Sequence, residues 1–266
     1  FGEDLVFNIA DGSIFYWDAT NGVSNRAVRL DSLTGASDVP SVARQILVSD
    51  VDRHIIVFGT NPVGSGLLDP LLIRFGSQES LVDFTPTATN TAGDLRLSKG
   101  SEIITAVQTS RQILVFTDQS LYSMQFIGPP FTFGVSLLGD NIRIAGPNTA
   151  IAVNDIVFWM GQENFYVYDG RIQTLPCSVR DYVFNDMNNQ QSFKFHSGSI
   201  GSQTEIWWFY VSSGATEIDR YVVYNYGQRI WYYGTLVRTA WNDRASGLRS
   251  FPQATGADFY LYNHED

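Results

Sequence analysis

Pairs of short apolar runs recur along the whole chain, and this repeat constrains the fold more than any other feature of the sequence. Each pair joins two runs of β-branched and aromatic residues through a turn, which is the pattern of a β-hairpin. The copies follow one another at intervals of roughly 40–60 residues, a repeat length typical of β-propeller blades. Their first runs begin at Leu5, Ile55, Ile113, Ile156 and Ile206, and a sixth, partial copy spans 259–262.

A blade of about four short strands cannot bury both faces of its sheet alone, whereas a radial arrangement packs each sheet against its neighbours. The aromatic content of 14% suits such broad interfaces between sheets. The same five-residue sequence occurs at 44–48 and at 111–115, which supports an internal repeat. We therefore expect an all-β fold, a single β-propeller domain of about six blades spanning 1–266. Propellers of five or seven blades, and two β-sandwich domains divided near 127–135, are the alternatives.

Little of the sequence favours helix, because no long segment places apolar residues at a 3.6-residue period. The best candidate for a short helix or irregular turn is 177–189. The polar stretches 18–44, 83–100 and 240–256 are interpreted as loops between strands. The chain begins with Phe1, so we expect it to be part of a longer protein.

The composition excludes several classes of protein. Charged residues make up 17% of the chain and hydrophobic residues 44%, which is not the composition of a disordered protein. The 27 Asp and Glu residues outnumber the 17 Lys and Arg residues, so the net charge is −10. Such a chain is not expected to bind nucleic acids generally by neutralising phosphates. No run approaches about 18 apolar residues, so no membrane anchor is expected. The single cysteine excludes an internal disulfide and a multi-cysteine zinc site.

No motif in the sequence carries recognisable catalytic chemistry. The three histidines, His54, His196 and His264, lie far apart and lack a zinc-binding spacing. His54 borders a strand and is interpreted as a surface or turn residue, and Cys177 is interpreted as a buried, unreactive thiol. Neither a nucleophile elbow nor a phosphate-binding glycine loop is present. We therefore predict no enzyme activity, no catalytic, cofactor-binding or metal-binding residues, and no cofactor.

Carboxylates and tryptophans suggest a second function, glycan binding or hydrolysis, because many propellers bind or hydrolyse glycans. Hydrolysis needs two carboxylates about 5–10 Å apart, although aspartates in turns mostly accept hydrogen bonds from backbone N–H groups. A propeller that binds glycans without hydrolysing them would stack sugar rings on exposed tryptophans. Both forms of the glycan hypothesis predict a polar pocket at the propeller axis. The candidates are Asp155, Asp169, Asp181, Asp186 and Glu205 among the carboxylates, and Trp207, Trp208, Trp231 and Trp241 among the tryptophans.

Basic residues concentrate near the C-terminal end of the chain. A local positive patch there would suit an acidic partner or the DNA backbone. Acidic residues are interleaved with these arginines, and solvated strand faces explain the pattern equally well. The residues are Arg220, Arg229, Arg238, Arg244 and Arg249.

Several stretches resemble one protein family. Residues 83–93 are similar to a segment of the pattern Trp-x-Pro-x-x-x-Asn-x-Ala-Gly, with Phe84 where Trp is expected. The most specific block and its continuation comprise 158–161, 165–170, 175–184, 205–210 and 219–226. Over roughly 40–265, the chain resembles virion structural proteins of tailed bacteriophages, similar to the tail nozzle and to head-to-tail DNA-stabilisation proteins.

This resemblance implies a structural role in a phage tail. Such proteins form rings below the portal and hold packaged DNA until ejection. The expected partners are other phage tail or connector proteins and further copies of the chain in a homo-oligomeric ring, with transient contact to packaged DNA. The expected location is the tail of the virion, after assembly in the host cytoplasm. A glycan-binding or glycan-hydrolysing propeller and a generic protein–protein interaction platform are the alternative functions.

Overall fold

The computed structural model describes residues 1–49, 52–243 and 252–264, and their strands form six antiparallel sheets. The chain divides into two compact units, Phe1–Ile142 and Arg143–Asp266, with three sheets in each. In every sheet, strands that follow one another in the chain lie side by side. Each sheet is therefore an antiparallel meander.

The first unit contains one sheet of three strands and two sheets of four. The first sheet consists of β1 (Leu5–Asn8), β2 (Ile14–Trp17) and β3 (Val28–Arg29). The second consists of β4 (Ala43–Val48), β5 (Ile55–Thr60), β6 (Asp69–Phe75) and β7 (Gly93–Arg96). The third consists of β8 (Ile103–Gln108), β9 (Ile113–Thr117), β10 (Ser120–Gly128) and β11 (Thr132–Asp140).

The second unit contains two sheets of four strands and one of three. The fourth sheet consists of β12 (Ala150–Val153), β13 (Ile156–Met160), β14 (Phe165–Tyr168) and β15 (Ile172–Leu175). The fifth consists of β16 (His196–Ile200), β17 (Glu205–Tyr210), β18 (Arg220–Asn225) and β19 (Ile230–Thr235). The sixth consists of β20 (Ala240–Asn242), β21 (Gln253–Thr255) and β22 (Leu261–Asn263).

One α-helix, α1 (Arg180–Asp186), lies between β15 and β16 in the described part of the chain. It confirms the short helix predicted within 177–189. It has seven residues, and across the ranges that the structure describes no helix is long and apolar enough to cross a membrane.

The predicted fold class, an all-β propeller of about six blades, is confirmed, and each sheet is one blade. In the first unit β4 lies beside both β1 and β8, and in the second unit β16 lies beside both β12 and β20. The first strand of a blade therefore contacts the first strand of the next, as expected for propeller blades. The alternatives of five or seven blades and of two β-sandwich domains are wrong. Residues 127–135, the proposed division, lie within the hairpin formed by β10 and β11. A single domain stays a prediction.

The alignment of the repeats needs a correction. Ile55, Ile113, Ile156 and Ile206 lie on second strands of their blades, whereas Leu5 begins β1, a first strand, and 259–262 overlaps β22, a third strand. The identical segments 44–48 and 111–115 likewise fall on β4 and β9, which are not equivalent. In a meander every neighbouring pair of strands forms a hairpin, so an apolar hairpin pattern does not show which pair it is.

Three segments interpreted as loops contain short strands, which corrects that interpretation. The strand β3 lies within 18–44, β7 within 83–100, and β20 and β21 within 240–256. These strands have two to four residues, too few to show a period-2 pattern. The strands β3, β7 and β21 pair with the backbone groups of the preceding strand of their blade, and β20 pairs with β21, which follows it.

The cores lie between the faces of neighbouring sheets within each unit. All six residues of β5 and all six of β17 are buried, because central strands covered on both faces become continuous apolar runs. Polar side chains also join neighbouring blades. The Gln45 side chain on β4 donates from Nε2 to the Ala106 carbonyl oxygen (2.9 Å) and accepts from the Ala106 N–H (2.7 Å) at Oε1.

Candidate functional site

His54 is fully buried, so its interpretation as a surface or turn residue is wrong. Its Nδ1 lies 2.7 Å from the carbonyl oxygen of Gly76. Its ring meets the ring of Phe133 edge-on, with centroids 5.2 Å apart. The border of a strand is buried here because β5, which follows, is covered on both faces.

His196 and His264 are buried, and Cys177 is partly buried. His196, the first residue of β16, stacks on Phe209, and burial lowers its pKa to about 4. His264 lies edge-on to Trp207, and burial likewise lowers its pKa to about 4. Cys177 is half-buried rather than buried, and desolvation raises its pKa to about 11, which favours the thiol over the reactive thiolate. Among residues 1–49, 52–243 and 252–264, no group of three or more His, Cys, Asp or Glu side chains is placed to hold a metal ion.

His196 is expected to make the stability of the fold depend on pH between about 6.5 and about 4. Its pKa in the folded chain, about 4, lies below the ordinary value of 6.5, so the unfolded chain takes up the proton first as the pH falls. Its contribution to the free energy of unfolding is complete above pH 6.5 and is lost as the pH falls towards 4. The loss in the free energy of unfolding reaches about 3 kcal/mol, because each unit of difference between the pKa values of the folded and unfolded chain corresponds to about 1.4 kcal/mol.

Urea unfolding of the wild-type chain and of His196→Phe, at about pH 7 and about pH 4.5, measures this effect. Phenylalanine retains the ring next to Phe209 and binds no proton, so the variant should lose less stability on acidification. His264 titrates in the same range but is present in both proteins, and its contribution cancels. Equal losses of stability in the two proteins would contradict the prediction.

Two of the candidate carboxylates have structural partners. Glu205, on β17, is buried and accepts a hydrogen bond from Nε1 of Trp207 at 3.1 Å. Asp186, at the end of α1, pairs with Nε of Arg220 at 3.4 Å. Asp186 therefore joins α1 to β18, whereas the hydrogen bond of Glu205 lies within β17.

The other three candidate carboxylates lie outside the core. Asp155 lies in the turn between β12 and β13 with a φ of 64°. Asp181 is exposed on α1 and pairs with Arg180 at 2.9 Å. Asp169 follows β14 and accepts hydrogen bonds from Nε2 of Gln173 at both carboxylate oxygens, each at 3.0 Å. Of the five, only Asp169 lines the groove described below.

The tryptophans mostly serve packing. Trp207 is 4% exposed and Trp208 is fully buried, so stacking of sugar rings on either of them is wrong. Trp231 and Trp241 are half-buried. Nε1 of Trp231 donates to the carbonyl oxygen of Pro176 at 2.9 Å, which joins the fifth blade to the segment that follows the fourth.

The predicted cluster of arginines is only partly described. Arg244 and Arg249 lie outside the described residues. Arg220 forms the ion pair noted above, and the guanidinium of Arg238 lies over a tyrosine ring at 5.0 Å. Arg229 is exposed and forms no ion pair with the rest of the described chain.

The turn between β10 and β11 presents an exposed apolar surface that we call the apolar hairpin. Phe131 is 71% exposed, Ile127 57% and Phe126 43%. No charged residue occurs between Gln119 and Gly139. The apolar hairpin consists of Phe126, Ile127, Pro129, Pro130 and Phe131.

The base of the apolar hairpin is fixed in the core of the first unit. Phe133, opposite Phe126 in the strand pairing, is buried and packs edge-on against Phe75 at 5.0 Å. The Thr132 hydroxyl donates to the Thr91 carbonyl oxygen at 3.1 Å. A firmly held base with an exposed apolar tip is the form of a docking element. Sequence reasoning treated this segment only as a division between domains.

A groove of about 540 Å³ runs along β15 in the second unit. The fourth blade contributes Phe158, Gln173 and Thr174 to its lining, and the fifth contributes Tyr226 and Arg229. The groove lies along the last strand of its blade, whereas the glycan reading predicted a pocket at the propeller axis.

No protein-family model matches the chain, and no curated protein sequence matches it. Among solved structures, the CNH domain of AfRom2 has a TM-score of 0.52 and 12% identity, with 98% of this chain and 80% of that chain covered. Hsv2 from Kluyvelomyces marxianus has a TM-score of 0.44 and 10% identity, covering 99% and 70%. A mutant of the Synechocystis apocarotenoid oxygenase has a TM-score of 0.49 and 8% identity, covering 100% and 67%. At such identities the likeness concerns the fold alone, and none of the three is named as a virion protein.

Proposed function

We propose that this chain is a non-catalytic structural subunit that assembles with further copies of itself through the apolar hairpin. The supporting observation is an exposed apolar tip without charge on a chain of net charge −10. Copies of an acidic chain repel one another, and this repulsion is smallest where the facing surfaces carry no charge. The partner that fits this surface is therefore a second copy of the chain.

The fold suits such a role. A β-propeller is a rigid scaffold of packed sheets that carries interaction surfaces on its loops. The apolar hairpin is an extension of this kind, since its strands belong to the third blade and its tip is exposed. A protein-interaction platform is the general form of the proposal.

The more specific form is a ring subunit in the tail of a tailed bacteriophage, at the nozzle or the head-to-tail junction. Its support is the resemblance to that family of 83–93, 158–161, 165–170, 175–184, 205–210 and 219–226. In this role the subunit contacts other tail or connector proteins, borders the conduit through which packaged DNA passes, and resides in the virion.

Replacing Phe131 by aspartate is expected to convert an oligomer into a monomer. Phe131 is more exposed than Phe126 and Ile127, and a carboxylate there would lose apolar burial and add repulsion between acidic copies. Loss of a central anchor of this kind costs about 2 kcal/mol or more, roughly a 30-fold weaker association. Size-exclusion chromatography with light scattering measures the mass over a range of concentrations. High salt should strengthen the wild-type assembly by screening repulsion.

Val23→Asp is the matched control, because Val23 is 94% exposed and lies far along the chain from the apolar hairpin. This variant should keep the wild-type mass, and both variants should keep the wild-type circular dichroism spectrum, which shows that both are folded. A monomeric wild-type chain, or an equal loss of mass in both variants, would overturn self-assembly through this surface.

The phage form of the proposal has a separate test. In purified particles, an antibody against the chain should label the tail axis in electron micrographs. If the antibody labels no particles, the phage role is overturned. Self-assembly is then still tested independently by the mass from light scattering.

A further inference from the structure

The groove along β15 has the size and chemistry of a small-ligand site. Its volume of about 540 Å³ falls in the range of roughly 300–1,000 Å³ that is usual for ligand pockets. Such sites combine apolar and aromatic walls with a few polar groups that orient the ligand. The groove has both kinds of lining.

Tyr226 supplies an aromatic surface. One face of its ring stacks on Phe158, with centroids 5.9 Å apart and an interplanar angle of 26°. The ring is only half-buried and lines the groove. An aromatic ring supported from behind is a platform for the apolar face of a sugar ring.

The polar lining combines opposite charges with an amide. Asp169 and Arg229 both line the groove, so its formal charge is zero. Gln173 donates to Asp169 through Nε2, which orients the amide and leaves the exposed guanidinium of Arg229 for a ligand. Sugar hydroxyl groups donate and accept hydrogen bonds, so a carboxylate and a guanidinium together can pair with them. An anionic ligand would meet Asp169 and a chain of net charge −10.

The turn that carries Tyr226 and Arg229 is held in place before any ligand binds. The Asn225 side chain accepts from the Gln228 N–H at 2.8 Å, and the Asn225 carbonyl accepts from the Arg229 N–H at 2.7 Å. The bond from Trp231 to the Pro176 carbonyl joins the two blades beside the groove. Preorganisation of this kind reduces the entropy that is lost on binding.

We propose that this groove is a binding site for a neutral oligosaccharide, with Tyr226 as the stacking platform and Asp169 and Arg229 as hydrogen-bonding partners of its hydroxyl groups. The site uses residues of the second unit only and does not depend on self-assembly through the apolar hairpin. It is a binding site and involves no bond cleavage.

A printed array of neutral hexose and N-acetylhexosamine oligosaccharides, with sialylated and sulfated glycans as comparators, is the first test. The wild-type chain should bind members of the neutral set, and the best of these are then titrated by calorimetry. Arg229→Gln and Tyr226→Ala should each weaken binding at least about tenfold, the loss expected when one oriented contact is removed. Arg171→Gln changes an exposed arginine outside the groove lining and should bind as the wild type does.

Two results would overturn the proposal: no binding to any neutral glycan on the array, or equal affinities of Arg229→Gln and the wild-type chain. Binding of the anionic glycans alone is an instance of the first result. Because Tyr226 supports Phe158, its variant is interpreted only together with Arg229→Gln, whose side chain is exposed. Phe131→Asp should bind the glycan normally, which separates this result from that on self-assembly.

Discussion

Replacing Trp208 by alanine is expected to lower the free energy of unfolding by about 3–5 kcal/mol, the usual cost of truncating a fully buried tryptophan. Trp208 lies on β17 with no exposed surface. Its ring packs against Phe165 at 4.9 Å and stacks on Trp231 at 6.0 Å. Its Nε1 donates to the carbonyl oxygen of Thr149 at 3.0 Å. The variant loses this packing, opens a cavity between the fourth and fifth blades, and removes one of the two donors to the Thr149 carbonyl oxygen, which keeps the Met160 N–H at 3.1 Å.

Urea unfolding followed by circular dichroism measures this loss, and Trp17→Ala is the matched control. Trp17 is only half-buried, on β2, and its Nε1 bonds to an exposed carbonyl. Its truncation should cost about 1 kcal/mol or less, as at positions that create no cavity. A loss at Trp208 no larger than that at Trp17 would mean that β17 is not the packed centre of its blade.

The strand pattern was predictable wherever strands are long and apolar. The hairpins of β13 with β14 and of β17 with β18 have continuous runs of aromatic and β-branched residues, and both are confirmed. The short strand β3 and the polar strand β7 could not be predicted. Their residues are too few to show an alternation of apolar and polar side chains, and they form only because a neighbouring strand pairs with them. The position of each hairpin within its blade could not be predicted from the sequence, because every neighbouring pair of strands in a meander forms a hairpin.

The functional surfaces were less predictable than the fold. The sequence drew attention to aromatic residues such as Trp207 and Trp208, but in a sheet covered on both faces such residues are core. Phe131 was not singled out, because an apolar residue in a turn looks like any other until its exposure is known. The absence of charge around it was a usable signal. Tyr226 and Arg229 lie near each other in sequence, but Phe158 and Asp169, which line the same groove, come from another blade.

Both proposed surfaces follow from the same electrostatic constraint. A net charge of −10 disfavours contact with acidic partners over most of the chain. The apolar hairpin does not repel an acidic partner, because it has no charge. The groove does not either, because the formal charges of Asp169 and Arg229 cancel. An uncharged surface suits a second copy of the chain, and a balanced polar surface suits a neutral ligand.

Replacing Arg74 by alanine is expected to lower the free energy of unfolding by about 3 kcal/mol or more, because three carbonyl oxygens, two of them on buried residues, lose a charged donor at once. Arg74, on β6, is 1% exposed. Its guanidinium donates to the carbonyl oxygens of Asp38 (2.6 Å), Phe84 (3.0 Å) and Asn61 (3.3 Å). Burial lowers the pKa of Arg74, but an arginine remains charged in proteins. It therefore acts as a clamp between three segments of the first unit.

Comparison with Arg74→Met decides which effect dominates at this site. Methionine fills much of the same volume without a charge, so it would stabilise the fold if the cost of burying a cation exceeded the gain from its hydrogen bonds, as at some buried ion pairs. We expect it instead to destabilise the fold by about 2 kcal/mol, because carbonyl groups without donors remain buried. Arg96→Ala, which removes an exposed ion pair with Asp69 in the same sheet, should cost less than about 1 kcal/mol. A methionine variant as stable as the wild type would show that the gain from the three carbonyl contacts only balances the cost of burying the cation, and that the clamp adds no net stability.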